Sequence, residues 1–189
     1  DAARENHLLV MGSTLSEKAA IAFDLLAHSW QAGNPPFAIT ATDPATEFRA
    51  SYEPYVPPDE TVADVFVIDC LNVAETDDAD ATVCGVSTPA DLTGIGIKFS
   101  EFVKEFRARD VAGLRLVLDS LSTLLPYANT QTVFKFVHVL AGQIAENEGL
   151  GIHVMEPQAH DPQERHTVAE LFDNTVTVED NAVATMHLE

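Results

Sequence analysis

Positive charge is scarce in this sequence. Of 189 residues only ten are Lys or Arg, against thirty Asp and Glu, and the formal net charge is −20. The lysines are Lys18, Lys98, Lys104 and Lys135, and the six arginines (Arg4, Arg49, Arg107, Arg109, Arg115, Arg165) form no stripe. Binding to a nucleic-acid backbone needs clustered Lys and Arg, so direct nucleic-acid binding is excluded. Cysteine is equally sparse: Cys70 and Cys84 share no metal-ligand spacing, and both read as buried thiols of a reducing cytosol. No apolar run approaches the roughly 18 residues of a membrane span and no signal peptide is visible, so a cytoplasmic protein without a membrane partner is expected. Internal repeats and low-complexity tracts are missing as well.

The acids are dispersed. Asp59-Glu60, Asp77-Asp78, Asp110 and Glu179-Asp180 are scattered along the chain, which makes acidity a property of the surface and not of an interaction arm. Such a lysine-poor, acid-rich surface resembles that of proteins from salt-accumulating halophilic archaea. In molar salt the Debye length falls to about 3 Å and screens the mutual repulsion, which in dilute buffer opposes the compact state. A chain of 189 residues is the length of one domain, and burial of roughly 70% of its unfolded surface supplies a real core. One domain over 1–189 is expected. The closing Leu188-Glu189 reads as the remnant of an affinity tag.

Hydrophobic periodicity lays out alternating strands and helices. Leu8 to Met11 reads as a strand, Gly12 to Ser16 as a turn, and Glu17 to Gln31 as a helix with Ile21, Leu25, Leu26 and Trp30 inward. Phe37 to Thr42 is a second strand, and Asp43-Pro44 opens a short helix through Phe48. Pro54, Pro57 and Pro58 mark a connecting loop. Val62 to Cys70 is a third strand, an acidic turn runs through Asp80, and Ala81 to Val86 is a short fourth. Ser87-Thr88-Pro89 caps a helix carrying Leu92, Ile95, Phe99, Phe102, Val103 and Phe106 at helical spacing. Arg109 to Gly113 is a turn, and Leu114 to Asp119 is a strand buried on both faces. Thr130 to Glu148 is a helix with Val133, Val137, Leu140 and Ile144 inward, stopped by Gly149-Leu150-Gly151. Ile152 to Met155 is a strand, Pro157 to Arg165 a polar loop and Thr167 to Phe172 a short helix. Thr175 to Val178 and Ala182 to His187 read as an antiparallel hairpin around Glu179-Asp180-Asn181. The order implies an α/β fold with a mostly parallel central sheet, helices on both faces and a C-terminal hairpin.

Chemistry concentrates at two strand ends. The string Asp119-Ser120-Leu121-Ser122-Thr123-Leu124-Leu125 follows the apolar run Leu116-Val117-Leu118 and places a carboxylate at the edge where open α/β sheets bind ligands. Gly12-Ser13-Thr14-Leu15-Ser16-Glu17-Lys18-Ala19 stands where a P-loop, G-x-x-x-x-G-K-[ST], stands: after a strand and opening a helix. Gly12 and Lys18 match that pattern, while Glu17 replaces the second glycine and Ala19 the magnesium-ligating hydroxyl. Glu17 also puts a carboxylate at the helix start, where it repels a triphosphate.

Together these stretches resemble the RecA/KaiC-like P-loop ATPase superfamily, and more narrowly a degenerate branch of halophilic archaeal proteins described as RecA-superfamily or transducer-like. The resemblance implies a RecA-like three-layer fold. It makes Asp119 the magnesium-orienting Walker B carboxylate, with a strand-end cap as its simpler alternative. It makes Gly12, Ser13, Thr14, Glu17, Lys18, Ala19, Asp119 and Ser120 the nucleotide-facing set. Asp43, after the second strand, matches the water-activating carboxylate only approximately, and a helix-start role competes with it. Gln158, His160 and His166 fall where RecA-like proteins sense the γ-phosphate; with Asp161 or Glu164 they could also ligate a metal, although the spacing fits no known pattern. Because Glu17 and Ala19 oppose binding of magnesium triphosphate, the expected function is a non-catalytic scaffold or regulatory module for protein partners or self-association, in signalling or gene regulation. The alternative is a weak ATP/ADP sensor using magnesium, with little or no hydrolysis.

Overall fold

The computed structural model describes residues 6–31, 33–34, 36–71, 82–108 and 113–179, and the backbone of 182–188. The acidic turn through Asp80, the turn beginning at Arg109, Pro35, Asp180-Asn181 and Glu189 lie outside the described residues.

Strands are β1 (His7–Gly12), β2 (Phe37–Thr40), β3 (Phe66–Asp69), β4 (Val83–Gly85), β5 (Arg115–Asp119), β6 (Leu150–Met155), β7 (Asn174–Glu179) and β8 (Ala182–Leu188). Helices are α1 (Lys18–Gln31), α2 (Ala45–Tyr52), α3 (Leu92–Arg107), α4 (Leu121–Leu124), α5 (Thr130–Ala145) and α6 (Pro162–Ala169). The strands form one sheet in the order β4-β3-β2-β5-β6-β1-β7-β8. All neighbours run parallel except β7 and β8, which pair antiparallel with a register irregularity at Thr177/Val178.

Alternation along the strands builds two cores. Leu9, Ile39, Ile68, Leu116 and Leu118 point to the face covered by α3 and α5, while Val10, Ala38, Val67, Val117 and Ile152 point to the face covered by α1 and α2. A period of two with both sets apolar is the signature of a strand buried on both sides. All six apolar residues of the stripe on α3 are buried, as are the four on α5 together with Phe136 and Ala141. On α1 the buried set is Ala22, Phe23, Leu26, Ser29 and Trp30; Ile21 and Leu25 sit at its margin.

Several boundaries differ from expectation for local reasons. The cap of α3 is Asp91, whose carboxylate accepts the Gly94 N–H at 2.8 Å, and Thr88 instead closes the turn before it. The stretch Val62–Asp64 is a single 3-10 turn, so β3 begins at Phe66. The expected polar loop 157–165 already contains the start of α6: Asp161 accepts the N–H groups of Gln163 and Glu164, with Pro162 in the first turn. Cys84 is half-buried, whereas Cys70 is buried as expected.

Because β1, β2, β5 and β6 are parallel, their C-terminal ends open at one edge of the sheet. That edge gathers Gly12, Asp119, the residues after Thr40 and those after Met155.

Candidate functional site

The loop between β1 and α1 is folded onto itself. Gly12 is buried, and a Cβ there would stand 3.0 Å from the Val178 carbonyl of β7 and 2.2 Å from Ser16 Oγ. Only glycine passes this point without displacing the neighbouring strand. The Ser13 carbonyl then accepts three donors: the Ser16 N–H at 3.1 Å, Ser16 Oγ at 2.8 Å and Lys18 Nζ at 2.6 Å. The Thr14 hydroxyl donates to the Glu156 carboxylate just beyond β6. Glu17 and Ala19 are exposed.

At the end of β5, Asp119 meets the two other predicted groups. Burial first, and then the nearby Asp43 carboxylate, push its carboxyl up to about 6, against a smaller opposing pull from Lys18. The structure thus brings Lys18, Asp43 and Asp119 within electrostatic reach of one another across three elements. Asp43 is not the cap of α2. Thr40 Oγ1 holds the Asp43 carbonyl at 2.5 Å, and the N–H of Ala45 is taken by Asp69 Oδ2 at 2.9 Å. Ser120 is buried, and its hydroxyl lies 3.2 Å from Thr123 Oγ1.

His160, which the sequence offered as a γ-phosphate sensor or, with Glu164, as a metal ligand, belongs to a hydrogen-bond network with Ser122. Ser122 Oγ lies 2.8 Å from His160 Nε2, and His160 Nδ1 lies 2.8 Å from Glu164 Oε2. Ser122 Oγ also accepts the N–H of Glu156 at 2.8 Å. An ionised Glu164 demands the proton on Nδ1, which leaves Nε2 to accept the Ser122 hydroxyl. The chain of bonds ties the turn after β5 to the segment after β6. Glu156 itself was missed, although it carries the signal that marked Asp119, a carboxylate ending an apolar strand.

These residues do not fit magnesium with a triphosphate. A phosphate cradle needs N–H groups and an ammonium directed at the anion. Here the ammonium sits on a loop carbonyl, Ala19 offers no hydroxyl to a metal, and Glu156 and Asp43 add negative charge where an anion would sit. Among the described residues no three His, Cys, Asp or Glu side chains converge to hold a metal. A cavity of about 470 Å³ at this edge is lined by Gly12, Ser13, Pro157, Gln158 and the end of β7, and neither Lys18 nor Asp119 faces it.

The model of a family of unknown function (DUF7504) matches residues 6–178. The chain belongs to that family. No curated protein matches it in sequence. Among solved structures, the flagellar accessory protein FlaH from Methanocaldococcus jannaschii is similar at a TM-score of 0.60 and 10% identity, over 92% of this chain and 71% of that one. At that identity the likeness concerns fold alone, and the fold is RecA-like. No helix among the described residues is long and apolar enough to cross a membrane.

Proposed function

We propose that this domain is a non-catalytic RecA-like module that works through protein contacts and not through nucleotide turnover. One observation carries the reading: the Lys18 ammonium is bound 2.6 Å from the Ser13 carbonyl inside its own loop. A triphosphate entering there has to displace that bond, approach Glu17 and Glu156, and do so without a hydroxyl ligand for its magnesium. Phosphoryl transfer depends almost wholly on positioning and electrostatic stabilisation, so losing these groups removes the means of catalysis.

Calorimetric titration of the chain with ATP and ADP, each with magnesium, in molar KCl tests the proposal. The expected result is no heat of binding from a protein whose circular dichroism shows it folded, with Lys18→Ala indistinguishable. Micromolar binding that vanishes in Lys18→Ala would overturn the reading and make the module a nucleotide sensor.

A further inference from the structure

Helices α3 and α5, of 16 residues each, run side by side on one face of the sheet. Between them lies a groove of about 540 Å³. Its apolar lining includes Ile97 and Val139, which are 55% and 53% exposed although a packed core lies directly beneath them. Gly96 lines it too, and a Cβ at Gly96 would meet nothing within 4 Å. Glycine inside a helix weakens it relative to alanine. No packing demand explains Gly96, and its missing side chain deepens the groove.

Charge singles out the same place. In a chain of net charge −20 with four lysines, Lys104 and Lys135 stand on opposite walls of this groove. The acid in its lining, Glu101, is paired with a third lysine, Lys98, at 3.3 Å. A largely apolar groove with one lysine on each wall, toward opposite ends, fits a helix whose hydrophobic stripe is flanked by carboxylates on both sides.

We propose that the groove between α3 and α5 is a docking site for an acidic amphipathic helix of a partner protein. The proposal rests on the scaffold reading, to which it supplies the contact surface.

The test uses the whole chain at the lowest KCl concentration that keeps it folded, since high salt screens the rim charges. The probe is a fluorescein-labelled 16-residue helical peptide with leucines along one stripe and glutamates beside them. A scrambled peptide of the same composition and a version with lysine for glutamate serve as controls. Fluorescence anisotropy is expected to show the acidic helix binding at least tenfold more tightly than either control. Gly96→Leu, which fills the groove at a position favourable to helix, is expected to lose at least tenfold, and Lys104→Glu with Lys135→Glu to reverse the preference toward the lysine peptide. Equal binding of all three peptides, or indifference to Gly96→Leu in a folded protein, would overturn the proposal. So would a dimer in sedimentation that Val139→Glu dissolves, because the occupant would then be a second copy. Heat from ATP at the Lys18 loop in the same sample strikes only the scaffold reading; absence of peptide binding strikes only the groove.

Discussion

A buried histidine pair and the partly buried Asp119 set opposite responses to pH. His7 of β1 and His153 of β6 stack with ring centroids 4.9 Å apart and a 2.6 Å contact between Nδ1 and Nε2. Gly151 makes room for them: a Cβ there would lie 2.6 Å from His7 Cε1. Burial lowers His7 to about 4, against a smaller opposing backbone contact at Ala141, and burial with the neighbouring His7 takes His153 well below its ordinary value. Between about 4 and 6.5 the unfolded chain binds the proton that the folded chain refuses, so stability falls as pH drops through that window, by about 3 kcal/mol from His7 alone. Asp119 acts in the reverse sense. Its carboxyl is raised to about 6, so the folded state holds a proton that the unfolded state releases, and stability falls as pH rises toward 6. Asp119→Asn is therefore expected to stabilise the protein by about 1–3 kcal/mol at pH 8, discounted for its partial exposure, while keeping the acid limb of the histidine pair. Urea unfolding of both proteins from pH 4 to 8 in molar KCl measures this, and a destabilised Asp119→Asn at pH 8 would mean that the carboxylate has a favourable cationic partner. At this scale Asp119 was legible because it ends an apolar run. His7 was not, because it precedes the run and is polar.

Elements were legible in proportion to their amphipathicity. The stripes on α3 and α5 read correctly because a helix covering a sheet must repeat its apolar residues at 3.6-residue spacing. In α6 only Val168 is buried, so periodicity carried no signal there, and the cap at Asp161-Pro162 was the feature to read. The same helix supplies Glu164 to the Ser122 and His160 network, which joins the turn after β5 to the one after β6. Ser122→Ala is expected to cost about 1–3 kcal/mol, because it leaves the Glu156 N–H and His160 Nε2 without their partner. Thermal unfolding checks this, and a change under about 0.5 kcal/mol would show that water replaces the hydroxyl. Arg49 plays a comparable joining role on the other side of the sheet, donating to the carbonyls of Ala63 and Val65 at 3.0 and 2.8 Å and to Thr82 Oγ1 at 2.6 Å. In the sequence it was one of six unpatterned arginines.

For the whole molecule, the net charge of −20 is the dominant long-range term. The Lys98–Glu101 and Arg107–Glu146 pairs, at 3.3 and 2.9 Å, are exposed, and such pairs stabilise little. Repulsion among the remaining carboxylates opposes the compact state wherever salt does not screen it. The midpoint of thermal unfolding is therefore expected to rise steadily between 0.1 and 2 M KCl, as the Debye length falls from about 10 Å toward 3 Å. A midpoint independent of KCl would show that the acids are spaced widely enough to ignore one another.

The order of strands and helices, the burial of β5 on both faces and the damage to the loop after β1 were determined by the sequence alone, since steric preference, burial period and residue identity act over a few neighbouring positions. Only the tertiary structure decided that the Lys18 ammonium rests on the Ser13 carbonyl, that Ser122 meets His160 across 38 residues, and that Lys104 and Lys135 line opposite walls of one open groove. Such juxtapositions depend on sheet order and helix placement, which arise from the packing of the whole chain, and no local pattern carries them.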